Sequence, residues 1–248
     1  MSFLDLLFPL KCIICGEPVK GKVNAVCRDC AGEFNEMMTQ RCEQCGMEPC
    51  ECECYPVKGI DKKYILFWYK EPIAKRIIFS IKRKADIRQV DFMAEMLSLK
   101  IRLYENAKKK EDLSFSCVCN VPRDKKAIRK YGYDQSELIA KKLSQSLGLP
   151  YMKLLERTGR SAEQKTLSGD MRSRNTKGIF KIKDNAPDPK SKIDKKGVLI
   201  ADDVTTSGAT LSECAAVLRS YGFKTVKAAV FAQSVNTNIK IQNKIQNK

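Results

Sequence analysis

Apolar residues along the chain fall into short unbroken runs separated by segments with helical spacing, the pattern of buried parallel strands alternating with helices. Val198-Leu-Ile-Ala201 is the clearest run: four aliphatic residues in a row leave no polar face for solvent, so they read as a strand covered on both sides. The run empties into Asp202 and Asp203, then into Thr205-Thr-Ser-Gly-Ala-Thr210, after which Leu211, Cys214, Ala215 and Leu218 recur on one helix face. A second strand, Cys117 to Val121, ends at Pro122-Arg-Asp-Lys-Lys126. It leads through Arg129-Lys-Tyr-Gly-Tyr-Asp-Gln135 to a helix carrying Ile139, Leu143 and Leu147, stopped by Gly148 and Pro150. This alternation predicts an α/β fold built on a doubly wound parallel sheet. In such sheets ligands bind at the carboxyl ends of the strands, where loops and helix N-termini flank a crevice.

Two adjacent carboxylates at a strand end can accept hydrogen bonds from the vicinal hydroxyls of a sugar. A tight turn of small residues that opens a helix presents backbone N–H groups to a phosphate. An ordinary strand-to-helix turn explains one capping Asp, but not two carboxylates and four hydroxyls within residues 202–210. The Gly-x-Gly-x-x-Gly of a dinucleotide site is absent from this stretch. The string resembles the 5-phosphoribosyl-1-pyrophosphate (PRPP) motif of type I phosphoribosyltransferases, with Ser207 replacing a threonine and Ala209 a glycine. Arg123 and Arg129, in the basic loop after the other strand, stand opposite this turn, where a pyrophosphate would be neutralised. Arg157 to Phe180 form a long polar connection of the kind that closes over a site.

Nine of the twelve cysteines lie between Cys12 and Cys54. Cys12-x2-Cys15 and Cys27-x2-Cys30 are two knuckles of a tetrahedral Zn²⁺ site. Cys42-x2-Cys45 begins a second set whose partners are two of Cys50, Cys52 and Cys54. An interleaved arrangement, with Cys12 and Cys15 sharing a metal with Cys42 and Cys45, fits the spacing too. Four thiolates leave zinc no open position, so one or two ions would fold this module rather than catalyse. Disulfides are disfavoured without a secretory signal. Cys117, Cys119 and Cys214 read as small core residues.

Histidine is absent from the chain, which excludes Ser-His-Asp and Cys-His nucleophiles and any imidazole base. Charge is unevenly distributed. Residues 1–57 carry 5 basic and 9 acidic side chains, within an overall net charge of +17, so the basic field belongs to the rest of the chain. Single-stranded DNA is therefore a candidate partner, meeting Lys82, Arg83 and Lys84, with Trp68 either stacking a base or buried in the sheet. Met1 to Leu10 lack a basic leader region and a cleavage site, and read as a short helix against the cysteine module. No run approaches the about 18–20 apolar residues that span a bilayer. We expect no membrane association and a cytoplasmic location.

Taken in order, these pieces resemble the ComF family (ComFC and GntX-like proteins): a cysteine module, an aromatic strand followed by a Lys-containing helix, a Pro-loop with an Arg-Gly-Tyr-Asn-Gln-like box, an Arg…Gln…Arg…Asn loop, and the PRPP motif near the end. The likeness covers residues 1 to about 234. It implies a zinc-binding, type I phosphoribosyltransferase-like protein linked to DNA uptake in natural competence, using Mg²⁺ to transfer a phosphoribosyl group from PRPP to an unidentified acceptor. The alternative is a catalytically silent PRPP- or DNA-binding adaptor that docks a competence helicase-like partner. By this resemblance Asp202 and Asp203 are the catalytic pair on the ribose hydroxyls. Thr205, Thr206, Ser207, Gly208, Ala209 and Thr210 hold the 5-phosphate, and Gln164, Arg172 and Asn175 belong to the mobile loop. Tyr131 stands where the box carries Arg, and Asp134 where it carries Asn. The expected organisation is a zinc module over 1–57, the α/β domain over 58–234 and a disordered tail over 235–248.

Overall fold

In chain order the elements are α1 (Arg28–Thr39), β1 (Lys62–Trp68), α2 (Pro72–Lys84), α3 (Ile87–Glu105), β2 (Cys117–Asn120), α4 (Lys125–Tyr131), α5 (Gln135–Leu147), β3 (Leu155–Arg157), β4 (Phe180–Ile182), β5 (Gly197–Thr205), α6 (Ala209–Ser220) and β6 (Thr225–Gln233). The computed structural model describes residues 11–19, 26–70, 72–84, 87–158, 178–186 and 196–234. The expected N-terminal helix, the loop residues Gln164, Arg172 and Asn175, and the tail lie outside the described residues.

Four strands form a parallel sheet in the order β1-β6-β5-β2, with Asn120 beside Ala201 and Ala201 beside Ala229. Val198, Leu199, Ile200 and Ala201 have no exposed surface, as an unbroken aliphatic run requires. One face is covered by α2, α3 and α5, which pack Ile77, Leu97 and Leu143 against Tyr64, Leu199 and Phe231. The other is covered by α6, whose Leu211, Cys214, Ala215 and Leu218 meet Val198, Ile200 and Val230. The sheet is thus doubly wound. The helix α5 after β2 and the helix α6 after β5 lie on opposite faces, so the crevice between the carboxyl ends of β2 and β5 is the topological switch point of the sheet.

Two details differ from the sequence reading. β5 does not stop at Ala201: its ladder with β6 continues through Asp202 to Thr205. The polar connection after Arg157 is not loop throughout, because Leu155, Glu156 and Arg157 pair antiparallel with Ile182, Lys181 and Phe180.

The cysteine module is not packed as a separate body. Phe34 and Met37 of α1 belong to the core that contains Ile73, Ile77 and Val90. Phe34 lies 5.6 Å from Phe92 of α3, and buried Gln89 donates to the Ile13 carbonyl at 2.6 Å. Among the described residues no helix is long and apolar enough to cross a membrane.

Candidate functional site

Because side chains alternate along a strand, Asp202 and Asp203 leave β5 on opposite faces. Asp203 turns toward α2 and α5. It is 4% exposed, accepts a 2.7 Å hydrogen bond from Gln135 Nε2, and has the Lys82 ammonium at 3.4 Å. Asp202 turns toward α6, where its charge bears on the Cys214 thiol, and it accepts a 2.9 Å hydrogen bond from the Asp203 amide. The residue keeps some surface, but its carboxyl lies deep. Burial, and next the negative charge of Asp203, push that carboxyl well above the usual carboxylate range. A pair held this way has a standing demand for a cation or a hydroxyl donor.

The turn that follows leads straight into α6. Thr206 and Ser207 are exposed, and Gly208 takes the left-handed conformation at φ 74° as the cap of α6. Only glycine fits there. A Cβ on Gly208 would stand 2.3 Å from a Val57 methyl, and the positive φ is strained for any side chain. The first turn of this 12-residue helix follows at once, so its amides, which have no intrahelical partners, lie next to the carboxyl end of β5 and its carboxylates. Gly208 has no side chain to cap them, and the Ala209 amide reaches Ser207 Oγ at a long 3.5 Å.

On the other wall, β2 delivers Asn120 and then the basic loop. Asn120 is buried, accepting from Tyr151 Oη at 2.9 Å and donating to Ser136 Oγ at 3.3 Å. The Arg123 guanidinium lies 4.8 Å above the Tyr131 ring, and its Nη1 is buried without a hydrogen-bond partner among the described residues. The two departures from the family box thus have local roles. Tyr131 is a platform for Arg123. Asp134 caps α5, accepting from the Ser136 and Glu137 amides at 3.1 and 3.2 Å, and it fixes the Arg123 amide at 3.1 Å. Arg129 lies in the last turn of α4.

Sequence reasoning missed Lys82 and Gln135 as members of this site. Lys82, a nucleic-acid candidate by its charge, instead holds its ammonium 3.4 Å from Asp203, which only the packing of α2 against the sheet reveals. Gln135 sits directly after the α5 cap, and its place in the box was the available signal. Trp68 is a correction: it is 1% exposed and packs edge-on to Tyr55 at 5.8 Å, so no base can stack on it. The reason is that β1 is covered on both faces. Arg83 instead stacks 4.4 Å over Phe79, itself 57% exposed, and Lys84 ends α2.

The cysteines form two groups of four, Cys12, Cys15, Cys27, Cys30 and Cys42, Cys45, Cys52, Cys54, with all sulfurs of a group within 4.8 Å of one another. A tetrahedral Zn²⁺ with bonds of about 2.3 Å sets its sulfurs about 3.8 Å apart; Cys15–Cys27 and Cys45–Cys52 are both at 3.7 Å. Backbone amides support the thiolates: Cys12 Sγ accepts from Ile14 and Cys27, and Cys42 Sγ from Gln44. The donor sets fit structural zinc. The open alternatives narrow here: the sulfurs group without interleaving, and Cys50, one of the candidate ligands, lies outside both groups. Cys50 is buried apart from both groups, its Sγ accepting from the Ile65 amide and donating to the Ile65 carbonyl at 3.3 Å each, because its turn packs it against β1.

Residues 134–246 match the phosphoribosyl transferase domain family, and residues 3–57 match the double zinc ribbon domain. The chain is 26% identical to Competence protein F of Haemophilus influenzae, over 89% of this chain and 95% of that protein. It is 26% identical to Competence protein ComFC of Streptococcus pneumoniae, over 88% and 97%. It is 24% identical to DNA utilization protein YhgH of Salmonella typhimurium, over 90% and 96%. Over most of its length the chain is thus similar to these competence and DNA utilization proteins, and it carries a phosphoribosyl transferase domain match preceded by a double zinc ribbon match.

Proposed function

We propose that the protein binds PRPP with Mg²⁺ at the switch-point crevice and transfers its phosphoribosyl group to an acceptor, in the service of DNA uptake or use. The observation that carries this reading is the carboxylate pair of β5 leading directly into the Gly208 turn and the N-terminal amides of α6. In this reading the turn holds the 5-phosphate and Asp202 and Asp203 accept from the ribose hydroxyls. The buried, unpartnered Nη1 of Arg123 takes a pyrophosphate oxygen. Loss of pyrophosphate from C1 builds positive charge on the ribose and negative charge on the leaving group, so the residues serve by orienting the sugar and neutralising the leaving group. No histidine base is required. Mg²⁺ enters with the substrate.

A second reading is favoured by one feature. Asp203 is held by Gln135 and Lys82, a fixed carboxylate that suits a silent PRPP-binding or single-stranded-DNA-binding adaptor better than a group that must move during catalysis. The names of the relatives, competence and DNA utilization proteins, support the DNA setting of both readings. Pyrophosphate release separates them. A transferase liberates pyrophosphate from PRPP and Mg²⁺ faster than the spontaneous rate, and more so when acceptor is added; an adaptor binds PRPP and releases none.

A further inference from the structure

A chain of hydrogen bonds leads from the second cysteine group to the phosphate turn. Cys54 is a member of that group, and the next residue, Tyr55, packs on Trp68 and offers its carbonyl to the Lys63 ammonium. The same ammonium donates to Gln233 Oε1 at 3.2 Å. Gln233, 1% exposed at the end of β6, donates from Nε2 to the carbonyls of Thr206 and Ser234 at 2.9 Å each, and to Thr205 at 3.4 Å. Its amide has one orientation that satisfies everything around it, because an ammonium only donates and the carbonyls only accept. Two of these carbonyls belong to the residues that open the phosphate turn. Holding them inward leaves the following amides to face the crevice.

A packing contact runs beside this relay. Val57, three residues after Cys54, rests its methyls on the turn at Gly208. The zinc ribbon therefore reaches the phosphate turn twice within four residues, once through hydrogen bonds and once through van der Waals contact, and neither contact touches the crevice itself.

We propose that Lys63 and Gln233 are positioning residues that couple the phosphate turn to the second cysteine group, so that an intact zinc ribbon pre-forms the anion site. This rests on the PRPP reading for the identity of the ligand, but not for the coupling. Lys63 does not meet the ligand. Its ammonium fixes the Gln233 amide, and that amide fixes the turn.

The test is hydrogen exchange of the 204–211 backbone in the full-length, zinc-loaded protein, read by mass spectrometry beside zinc content and PRPP·Mg²⁺ affinity. Lys63→Met should keep both zinc ions and the far-ultraviolet spectrum, while speeding exchange of the turn and weakening PRPP binding by about tenfold, the scale of one charge-assisted hydrogen bond. Lys63→Arg, which still donates, should recover most of both. Cys54→Ser should speed turn exchange in the wild-type background and add less in Lys63→Met, where only the Val57 contact still links the ribbon to the turn. Gln233→Leu should resemble Lys63→Met; if it fails to fold, the Lys63 pair decides. Turn exchange in Lys63→Met within twofold of wild type, or fully additive effects of Cys54→Ser and Lys63→Met, overturns the coupling. If wild-type protein binds no PRPP, the ligand assignment fails, and the exchange data still decide the relay.

Discussion

Gly208→Ala is the sharpest test of how the phosphate turn is packed. Two penalties are legible in the geometry. Holding a non-glycine residue at φ 74° costs about 1–2 kcal/mol. The new Cβ would sit 2.3 Å from Val57 Cγ2 and 3.0 Å from Cγ1, against about 3.5–4.0 Å for carbon atoms in comfortable contact. Val57 is stiff at χ1 and 9% exposed, so the strain passes to the backbone of the ribbon, an overpacking cost of about 1–3 kcal/mol. The total is about 2–5 kcal/mol. Val57→Ala alone removes two methyl groups of buried surface, about 1–2 kcal/mol. In the double variant the clash disappears while the φ penalty stays, so the double variant should be less destabilised than the sum of the singles by about 1–3 kcal/mol. Urea denaturation of the four proteins, zinc-loaded, measures this directly. The reasoning is refuted if Gly208→Ala lies within about 0.5 kcal/mol of wild type, or if the two changes add with no coupling.

Two further outcomes follow from buried polar groups away from the crevice. Cys54→Ser should lower the zinc content from two ions to one, while Cys50→Ala should retain both; elemental analysis that finds a zinc missing in Cys50→Ala would falsify the ligand assignment. Glu105, buried at the end of α3, accepts from Lys227 at 2.6 Å, from Tyr64 Oη and from Ser114; burial pushes its carboxyl up, but these donors outweigh burial and hold it down at about 2. A lowered folded-state value gives stability that is present above the unfolded value and lost as pH falls through the folded one. Glu105→Gln should therefore be about 3 kcal/mol less stable than wild type at neutral pH, with the gap closing as the pH falls from about 4.5 toward 2. A gap that stays constant with pH would refute it.

The sheet was legible in the sequence wherever burial is complete. Val198 to Ala201 and the helix face of Leu211, Cys214, Ala215 and Leu218 were readable because a two-sided strand and a one-sided helix leave opposite signatures in hydropathy. The zinc knuckles were legible because the ligand geometry demands their spacing. What failed was long-range. That Asp202 and Asp203 point to opposite faces follows from the pleat only once β5 is known to continue to Thr205, and polar residues at a strand end give no such signal. Lys82 reads as one of several surface cations until α2 is packed on the sheet and its ammonium meets Asp203. Trp68 and Cys50 were ambiguous in the sequence for the same reason: an aromatic can be buried or stacking, a thiol buried or ligating, and only the covering of β1 on both faces decides. Gln233, the hinge of the relay, is not legible locally, since the partners that give it this role, Thr206 and Lys63, are 27 and 170 residues away.

The central claim is that the carboxylate pair and the Gly208 turn form one PRPP site, and calorimetric titration with PRPP in the presence of Mg²⁺ tests it most directly. Because burial and the charge of Asp203 disfavour the ionised form of Asp202, binding of a magnesium complex that uses the carboxylate should tighten as pH rises, by at most about tenfold per unit. Asp202→Asn should abolish that pH dependence, and Asp202→Asn with Asp203→Asn should weaken binding by at least about a hundredfold, two charge-assisted hydrogen bonds at about 1.5 kcal/mol or more each, without unfolding the sheet. Unchanged PRPP affinity in the folded double variant, or no heat of binding in the wild type, would contradict the account.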